Sequence, residues 1–291
     1  GVGVVLSLVV GGLRLFFVLE SPSYYLAKGK YEAASEAASE LLQQSIVLEP
    51  AAEKNSIEAD THDVPQLLGY RNLFSKPYRK QTALASIPWF LQDIATYGVG
   101  IFTPAIISVL ISSQQNDWLT QEIASARGSA IVNVFLVVGF LLAVVFINRM
   151  GRLSLQMFGF VGMAAGLTLL SFVGGGSHLL LLFSGFILFN LTMNLGPNST
   201  TFLLSGEVFP PAIRASGAGL AGGIAKSGAV LGALGLPILK EAIGVHWLML
   251  VLAAVCLLAA AVTYGLRQAI DDMSSNDSIH LLTQSNLAPV E

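Results

Sequence analysis

The chain has 291 residues, of which 54% are apolar and 11% are charged, and its mean hydropathy is +0.69. Soluble domains carry about 25% charged residues, so this composition excludes a soluble globular protein and indicates an integral membrane protein. The 15 Lys and Arg residues are too few to favour a nucleic-acid partner, and the one cysteine, Cys256, cannot form an intrachain disulfide.

The first nineteen residues are apolar, but they start without a methionine and are interrupted by Arg14. A signal peptide would need a basic leading region and a small-residue cleavage site, and the sequence has neither. We therefore expect residues 1–19 to be the end of a transmembrane helix whose start lies upstream, which would make the chain a fragment.

Residues 20–80 are more polar and are predicted to form a cytoplasmic loop with short helices. Glu20-Ser21-Pro22 is typical of a helix start, and an Ala- and Glu-rich helix is expected over residues 24–42. That helix carries a row of like charges four residues apart, which must face water because they repel one another. The row consists of Glu32, Glu36 and Glu40. A mobile acidic linker over residues 49–63 and a membrane-surface helix over residues 65–74 are expected to follow.

Charge-poor windows of membrane-spanning length recur six times after residue 80, each able to cross about 30 Å of hydrocarbon. The windows are 83–111, 128–147, 153–173, 179–205, 215–239 and 245–266. Lys and Arg are concentrated on one side of these spans, which is the cytoplasmic side by the positive-inside rule. We therefore predict an all-α six-helix transmembrane bundle over residues 81–267 and a disordered cytoplasmic tail over residues 268–291.

The fifth window is rich in glycine. A G-x-G-x-x-G pattern that begins at Gly217 formally matches a dinucleotide loop, but no strand precedes it and it lies inside a membrane span. Glycines four residues apart instead let two transmembrane helices approach closely. We expect a neighbouring helix to approach closely at two such pairs, Gly219/Gly223 and Gly228/Gly232.

Only two charged residues lie well inside the windows, Asp93 in the first and Lys226 in the fifth. An ionised side chain at mid-membrane depth costs roughly 2.5–3.5 kcal/mol on insertion scales, so something must compensate for it. Trp89 and Tyr97 lie four residues on either side of Asp93 and share its helix face. Retention of charges at this depth favours a solute or proton pathway, and a structural ion pair between Asp93 and Lys226 is the alternative.

A row of polar side chains in the fourth window reaches a similar depth. Asn190, Asn194 and Asn198 are spaced four residues apart, and Pro197 removes a backbone donor between them and frees a carbonyl. Lysine, asparagine and tyrosine together supply donors suited to an oxyanion, whereas a sugar site needs no buried cation. A carboxylate that faces an anion resists ionisation, so Asp93 is expected to take up a proton as the anion binds. The pattern therefore predicts proton-coupled anion uptake.

Charged residues at the cytoplasmic helix ends form a candidate gate. Salt bridges among them would be partly shielded and could hold the bundle closed on that side. The residues are Glu20, Arg149, Arg152, Glu207 and Arg214. Unpaired charges that only orient the protein in the membrane are the alternative interpretation.

Catalytic patterns do not occur in the sequence. The four histidines lack HExxH spacing, and neither G-x-S-x-G nor a phosphate-binding loop of nucleotide enzymes is found. We therefore predict no catalytic residue, no metal site and no cofactor.

Three motifs occur in the order Glu20-Ser21-Pro22, Asn148-Arg149-x-Gly151-Arg152 and Glu207-x-x-Pro210-x-x-x-Arg214. Together they resemble the sugar-porter-type signatures of the major facilitator superfamily. Within that superfamily, three further stretches look more like the phosphate:proton symporters than the hexose carriers. They are WFLQDIATYG at 89–98, GPNSTTF at 196–202 and AKSG at 225–228.

The resemblance implies an all-α integral membrane fold, the C-terminal six-helix half of such a transporter, which would work by alternating access with a missing N-terminal half. In the phosphate:proton symporters, the residues that match Trp89, Asp93, Tyr97, Asn198 and Lys226 contact phosphate, and the aspartate also acts in proton coupling. Asn194 joins the candidate substrate-binding residues through its place in the asparagine row.

The expected partners are therefore phosphate, protons, the lipid bilayer and the missing half. The expected location is a plasma or bacterial inner membrane, with the C-terminus in the cytoplasm. A proton-linked carrier for a sugar or an organic anion is the first alternative. A non-transporting membrane sensor or an inactive fragment is the second.

Overall fold

The structure is a computed structural model, and it describes residues 2–17, 22–27, 30–43, 45–47, 70–111, 118–173, 179–210 and 213–267. The described residues form nine α-helices and no strand, which confirms the predicted all-α fold. The expectations for Glu20, for the linker at 49–63 and for the tail at 268–291 lie outside the described residues.

The chain divides into two compact units, Gly1–Leu68 and Gly69–Glu291. In the first unit, α1 spans Val2–Phe17, α2 spans Pro22–Ala27 and α3 spans Tyr31–Leu42. Helix α1 contains an apolar stretch, Val4–Leu13, whose described large side chains are exposed, as in a helix that borders lipid or another helix.

The acidic row on α3 faces water, as predicted. Its glutamates are exposed, whereas Ala34, Ala37 and Ala38 on the other side of the helix are buried. The prediction of one continuous helix over residues 24–42 is wrong, because α2 ends at Ala27 and Lys30 is non-helical, with φ −92° and ψ 75°. The sequence Lys28-Gly29-Lys30 at this point combines a poor helix former with two like charges.

The second unit begins with a 3₁₀ helix at Tyr70–Phe74 and continues with the membrane helices. They are α4 at Arg79–Ile111, α5 at Trp118–Met150, α6 at Arg152–Ser171, α7 at Leu179–Leu195, α8 at Pro197–Glu207 and α9 at Arg214–Leu266. Within the described residues, four segments are long and apolar enough to cross a membrane: Ala126–Met150, Arg152–Ser171, Leu180–Glu207 and Arg214–Leu266. Five of the six predicted windows coincide with these segments, and the first window lies in α4.

Glycines mark the points where the membrane helices break. Gly151, between α5 and α6, has φ 79° and ψ 156°, and Gly244, within α9, has φ 80° and ψ 167°. Residues with a side chain rarely adopt this conformation. The 53 residues of α9 are therefore two spans joined at Gly244, in agreement with the fifth and sixth windows. Gly196 divides the fourth window into α7 and α8, and Pro197 occupies the first turn of α8.

Helix α4 packs along the N-terminal part of α9 through glycine. A Cβ atom at Gly228 or Gly232 would collide with the carbonyl oxygens of Phe90 and Ile94, respectively. The predicted close contact at these two glycines is therefore confirmed. No described atom comes within 4 Å of a Cβ built at Gly219 or Gly223, so no helix among the described residues makes the close approach predicted there.

Candidate functional site

The intramembrane charges of α4 and α9 meet. Lys226 Nζ lies 3.0 Å from Asp93 Oδ2 and donates a second hydrogen bond to Tyr97 Oη at 3.2 Å. The same ammonium lies 5.0 Å from the centre of the Tyr97 ring, a cation–π distance. The carboxylate of Asp93 is held within the bundle, with 4% of its side chain exposed, whereas 58% of the Lys226 side chain is exposed.

Lys226 and Tyr97 each have a hydrogen-bond donor without an acceptor among the described residues. An ammonium group has three N–H donors, and Lys226 uses two of them on Asp93 and Tyr97. Because the Tyr97 hydroxyl oxygen accepts from Lys226, its own O–H is left to donate elsewhere. Two donors on the exposed side of a buried carboxylate form an arrangement that can hold an oxyanion.

Trp89 lies one helical turn before Asp93 and reaches both neighbouring helices. Its ring meets that of Phe202 on α8 edge to face, with 6.2 Å between the centres. On the α9 side, a Cβ built at Gly222 would lie 3.8 Å from the Trp89 ring. The indole therefore lies beside the cluster, between α8 and α9.

The polar row continues across the break at Gly196. Asn198 Nδ2 donates to Asn194 Oδ1 at 2.8 Å, and Asn194 Nδ2 donates to the backbone oxygen of Asn190 at 3.3 Å. The backbone oxygen of Asn194 accepts from the hydroxyl of Ser199 at 2.7 Å, which satisfies a carbonyl at the break. Asn194 is buried and Asn198 is exposed, so Asn198 is the member of this pair with access to a ligand.

Gln92 links α4 to this row. Its Nε2 donates to Asn198 Oδ1 at 3.1 Å, and its Oε1 accepts from the hydroxyl of Thr201 at 3.0 Å. In the sequence, Gln92 belongs to the stretch 89–98 that resembles the symporters, but no pattern there assigns it a role. An amide side chain next to Asp93 in an apolar run was the available indication, since a buried amide must find partners.

Two cavities lie beside these residues. One, of about 370 Å³, is lined by α5 and α8, and the other, of about 200 Å³, is lined by α4, α5 and α7. The larger cavity includes Asn198, Ser199 and Phe202, and the smaller one includes Thr96, Ser129, Asn133 and Asn190. The buried hydroxyl of Ser129 has no hydrogen-bond partner among the described residues, so the smaller cavity has a polar group that water can satisfy.

At the helix ends that the sequence predicts to be cytoplasmic, one predicted salt bridge is present. Arg152 Nε lies 2.6 Å from Glu207 Oε2, and both side chains are about half exposed. Arg214 Nε instead donates to the backbone oxygen of Phe209 at 3.2 Å. Neither Arg149 nor Arg214 forms an ion pair with another residue in the part of the chain that the structure describes. Among the same residues, no group of three His, Cys, Asp or Glu side chains could hold a metal ion.

Several apolar spans that surround a buried ion pair are those of a multi-pass membrane protein. The fold is that of the major facilitator superfamily. The structure matches that of a proton:xylose symporter of this superfamily, XylE bound to 6-bromo-6-deoxy-D-glucose, with a TM-score of 0.62 and 16% sequence identity. The match covers 87% of this chain and 52% of the symporter.

The model of the family described as "Sugar (and other) transporter" matches residues 1–266, and the chain belongs to this family. The chain is 32% identical over 214 residues to a probable inorganic phosphate transporter 1-10 of Oryza sativa subsp. japonica, covering 66% of this chain and 38% of that protein. It is 31% identical over 228 residues to inorganic phosphate transporter 1-4 of Arabidopsis thaliana, covering 74% of this chain and 41% of that protein. The chain spans about two-fifths of the length of these relatives.

Proposed function

We propose that this chain is one six-helix half of a proton-coupled inorganic phosphate symporter. It would work by alternating access with a second six-helix half that provides the other wall of the binding site. The observation that carries the proposal is the cluster of Asp93, Lys226 and Tyr97, which combines a buried carboxylate with unspent donors at membrane depth. Similarity to phosphate transporters of two plants supports the choice of anion.

The cluster supplies a way to couple the two solutes. While Asp93 is ionised, Lys226 is neutralised by it and gains little from a second anion. When a proton binds Asp93, the charge of Lys226 is no longer compensated and is available to phosphate. A proton and a phosphate ion therefore stabilise each other's binding, and together they favour the loaded state, whose binding site then opens to the other side of the membrane.

The exposed side of the cluster is where the second half would pack. Tyr97, Asn198 and Lys226 are all exposed on that side. Because polar side chains at membrane depth are costly when they face lipid, a ligand or another part of the protein must cover them. In the proposed arrangement, Arg152 and Glu207 gate the cytoplasmic end, the C-terminus is cytoplasmic, and the host is a plasma or bacterial inner membrane.

A proton-linked carrier of a sugar or organic anion is the second candidate. The description of the family and the fold shared with a proton:xylose symporter favour it. A cation at the centre of the site argues against a neutral sugar, because an uncharged ligand would not compensate the charge of Lys226 once a proton had neutralised Asp93.

Uptake into proteoliposomes tests the proposal. We expect the chain, reconstituted with its second half, to accumulate labelled phosphate when the outside is more acidic, and we expect arsenate but not glucose to compete. Competition by glucose and not by arsenate would establish the sugar carrier. Saturable phosphate binding without accumulation under the same gradient would instead indicate a sensor or an inactive fragment.

A further inference from the structure

The hydrogen bonds that join α4, α7 and α8 form a series with one direction. A backbone carbonyl can only accept, so Asn194 must present Nδ2 to the oxygen of Asn190. Asn194 Oδ1 is then left for Asn198, which must present its own Nδ2 there. Gln92 in turn donates Nε2 to Asn198 Oδ1, and Thr201 completes the series with a hydroxyl proton shared between Gln92 Oε1 at 3.0 Å and the backbone oxygen of Pro197 at 2.7 Å. We call these five groups the amide series.

The direction of the amide series decides what Asn198 offers to a ligand. Its carbonyl oxygen, which would repel an oxyanion, is occupied by the N–H of Gln92. One N–H of its Nδ2 is used on Asn194, and the other has no acceptor among the residues that the structure describes and lies on an exposed side chain. Gln92 itself is 1% exposed and is therefore shielded from direct contact with a solute.

We propose that Gln92 is a positioning residue: by donating to Asn198 Oδ1, it holds the Asn198 side chain with its oxygen occupied and one N–H directed toward an oxyanion. The identity of the oxyanion rests on the proposed phosphate function. The geometry of Asn198 rests on the amide series alone. Gln92 acts through Asn198, because its own two polar atoms are both spent on protein groups.

Gln92→Met is the informative variant. Methionine keeps the length and burial of the side chain but cannot donate to Asn198. Thr201 is not left unpaired, because its hydroxyl also lies 2.7 Å from the backbone oxygen of Pro197. The Asn198 amide, released from Gln92, then has an unpaired oxygen that can turn toward the ligand and repel it.

Gln156→Met is the matched control. Gln156 is fully buried, donates Nε2 to Thr263 at 2.9 Å, and accepts from Thr200 of α8 at 3.0 Å. The same substitution thus removes a buried glutamine that binds the same helix, without touching Asn198. If Gln92 only anchored α8, the two variants would behave alike.

Kinetics of phosphate uptake by the reconstituted transporter separate these roles. We expect Gln92→Met to raise the apparent KM for phosphate about fivefold, the effect of losing one net hydrogen bond, while Gln156→Met leaves KM unchanged. In an Asn198→Ala background, Gln92→Met should add no further change, because the group it positions is gone. Equal KM shifts in the two glutamine variants, or an effect that persists without Asn198, would overturn the inference.

Hydrogen exchange tests the geometry without any transport. In protein labelled with [¹⁵N]asparagine, the side-chain amide of Asn198 is assigned by its absence from Asn198→Ala. We expect its exchange with solvent to quicken in Gln92→Met and not in Gln156→Met. Unchanged exchange in Gln92→Met would overturn the positioning role. Quickened exchange in a protein that takes up no phosphate would leave that role standing and refute only the proposed function.

Discussion

The two charges of the candidate site differ in their freedom to move. Asp93 is enclosed by the bundle, whereas Lys226 carries its ammonium on a long, largely exposed side chain. A buried carboxylate can change its charge only by taking up a proton, while the lysine can turn from Asp93 toward a ligand. In the proposed mechanism, this asymmetry favours Asp93 as the group that binds the proton and Lys226 as the group that binds the anion.

Substitution of Asp93 tests that assignment. Asp93→Asn removes the titratable group but retains a neutral polar side chain of the same size, so we expect residual phosphate uptake that no longer responds to an inward proton gradient. Asp93→Glu keeps the carboxyl group on a longer stem and should keep some gradient dependence at a reduced rate. The measurement is the initial uptake rate with and without the gradient. Full gradient dependence in Asp93→Asn would show that another group carries the proton.

At the scale of the helix, the contact of α4 with α9 depends on the absence of side chains. A methyl group at Gly232 would collide with the carbonyl oxygen of Ile94, and neither backbone can retreat without disturbing the site residues on the same helices. Since Asp93 and Lys226 are carried by these two helices, the packing fixes the distance between the two backbones from which these side chains extend.

Gly232→Ala is therefore expected to destabilise the protein by about 1–3 kcal/mol, the usual range for overpacking. Gly235→Ala is the control, because no described atom lies within 4 Å of a Cβ at that position on the same helix. It should be neutral or slightly stabilising, since alanine favours a helix over glycine by about 1 kcal/mol. Thermal unfolding in detergent gives the comparison. Equal melting temperatures for the two variants would contradict the packing argument.

Hydropathy and charge were sufficient to predict the spans, because both reflect the cost of placing polar groups in hydrocarbon. That cost depends on the type of each residue and not on its neighbours in the fold, so it can be calculated from the sequence. The pairing of Asp93 with Lys226 could be predicted for the same reason. The contacts of Gln92 could not, since an amide has many potential partners and the choice depends on how α8 is placed after the break at Gly196. The glycine pattern was likewise insufficient to predict which pair packs against a described helix, because a small residue permits a close approach without requiring one.

At the scale of the whole molecule, alternating access needs a contact that forms in one state and opens in another. Arg152 at the start of α6 and Glu207 at the end of α8 are suited to this. Each charge is opposite to the one that its own helix end favours, at a cost of about 0.3–1 kcal/mol. The interaction of each charge with its own helix end therefore does not explain why Arg152 and Glu207 occupy these positions, whereas the salt bridge that joins the two side chains does.

The same reasoning predicts the outcome of exchanging the two charges. Arg152→Gln or Glu207→Gln alone should slow phosphate uptake by several fold, because closure loses a contact worth up to about 1 kcal/mol. Their melting temperatures should hardly fall, because each variant also removes an unfavourable interaction with a helix end. Arg152→Glu combined with Glu207→Arg retains the salt bridge and places both charges favourably, so uptake should recover and the melting temperature should rise. A double variant as slow as the single ones would mean that the identity of each side chain, and not the salt bridge, matters at this end of the molecule.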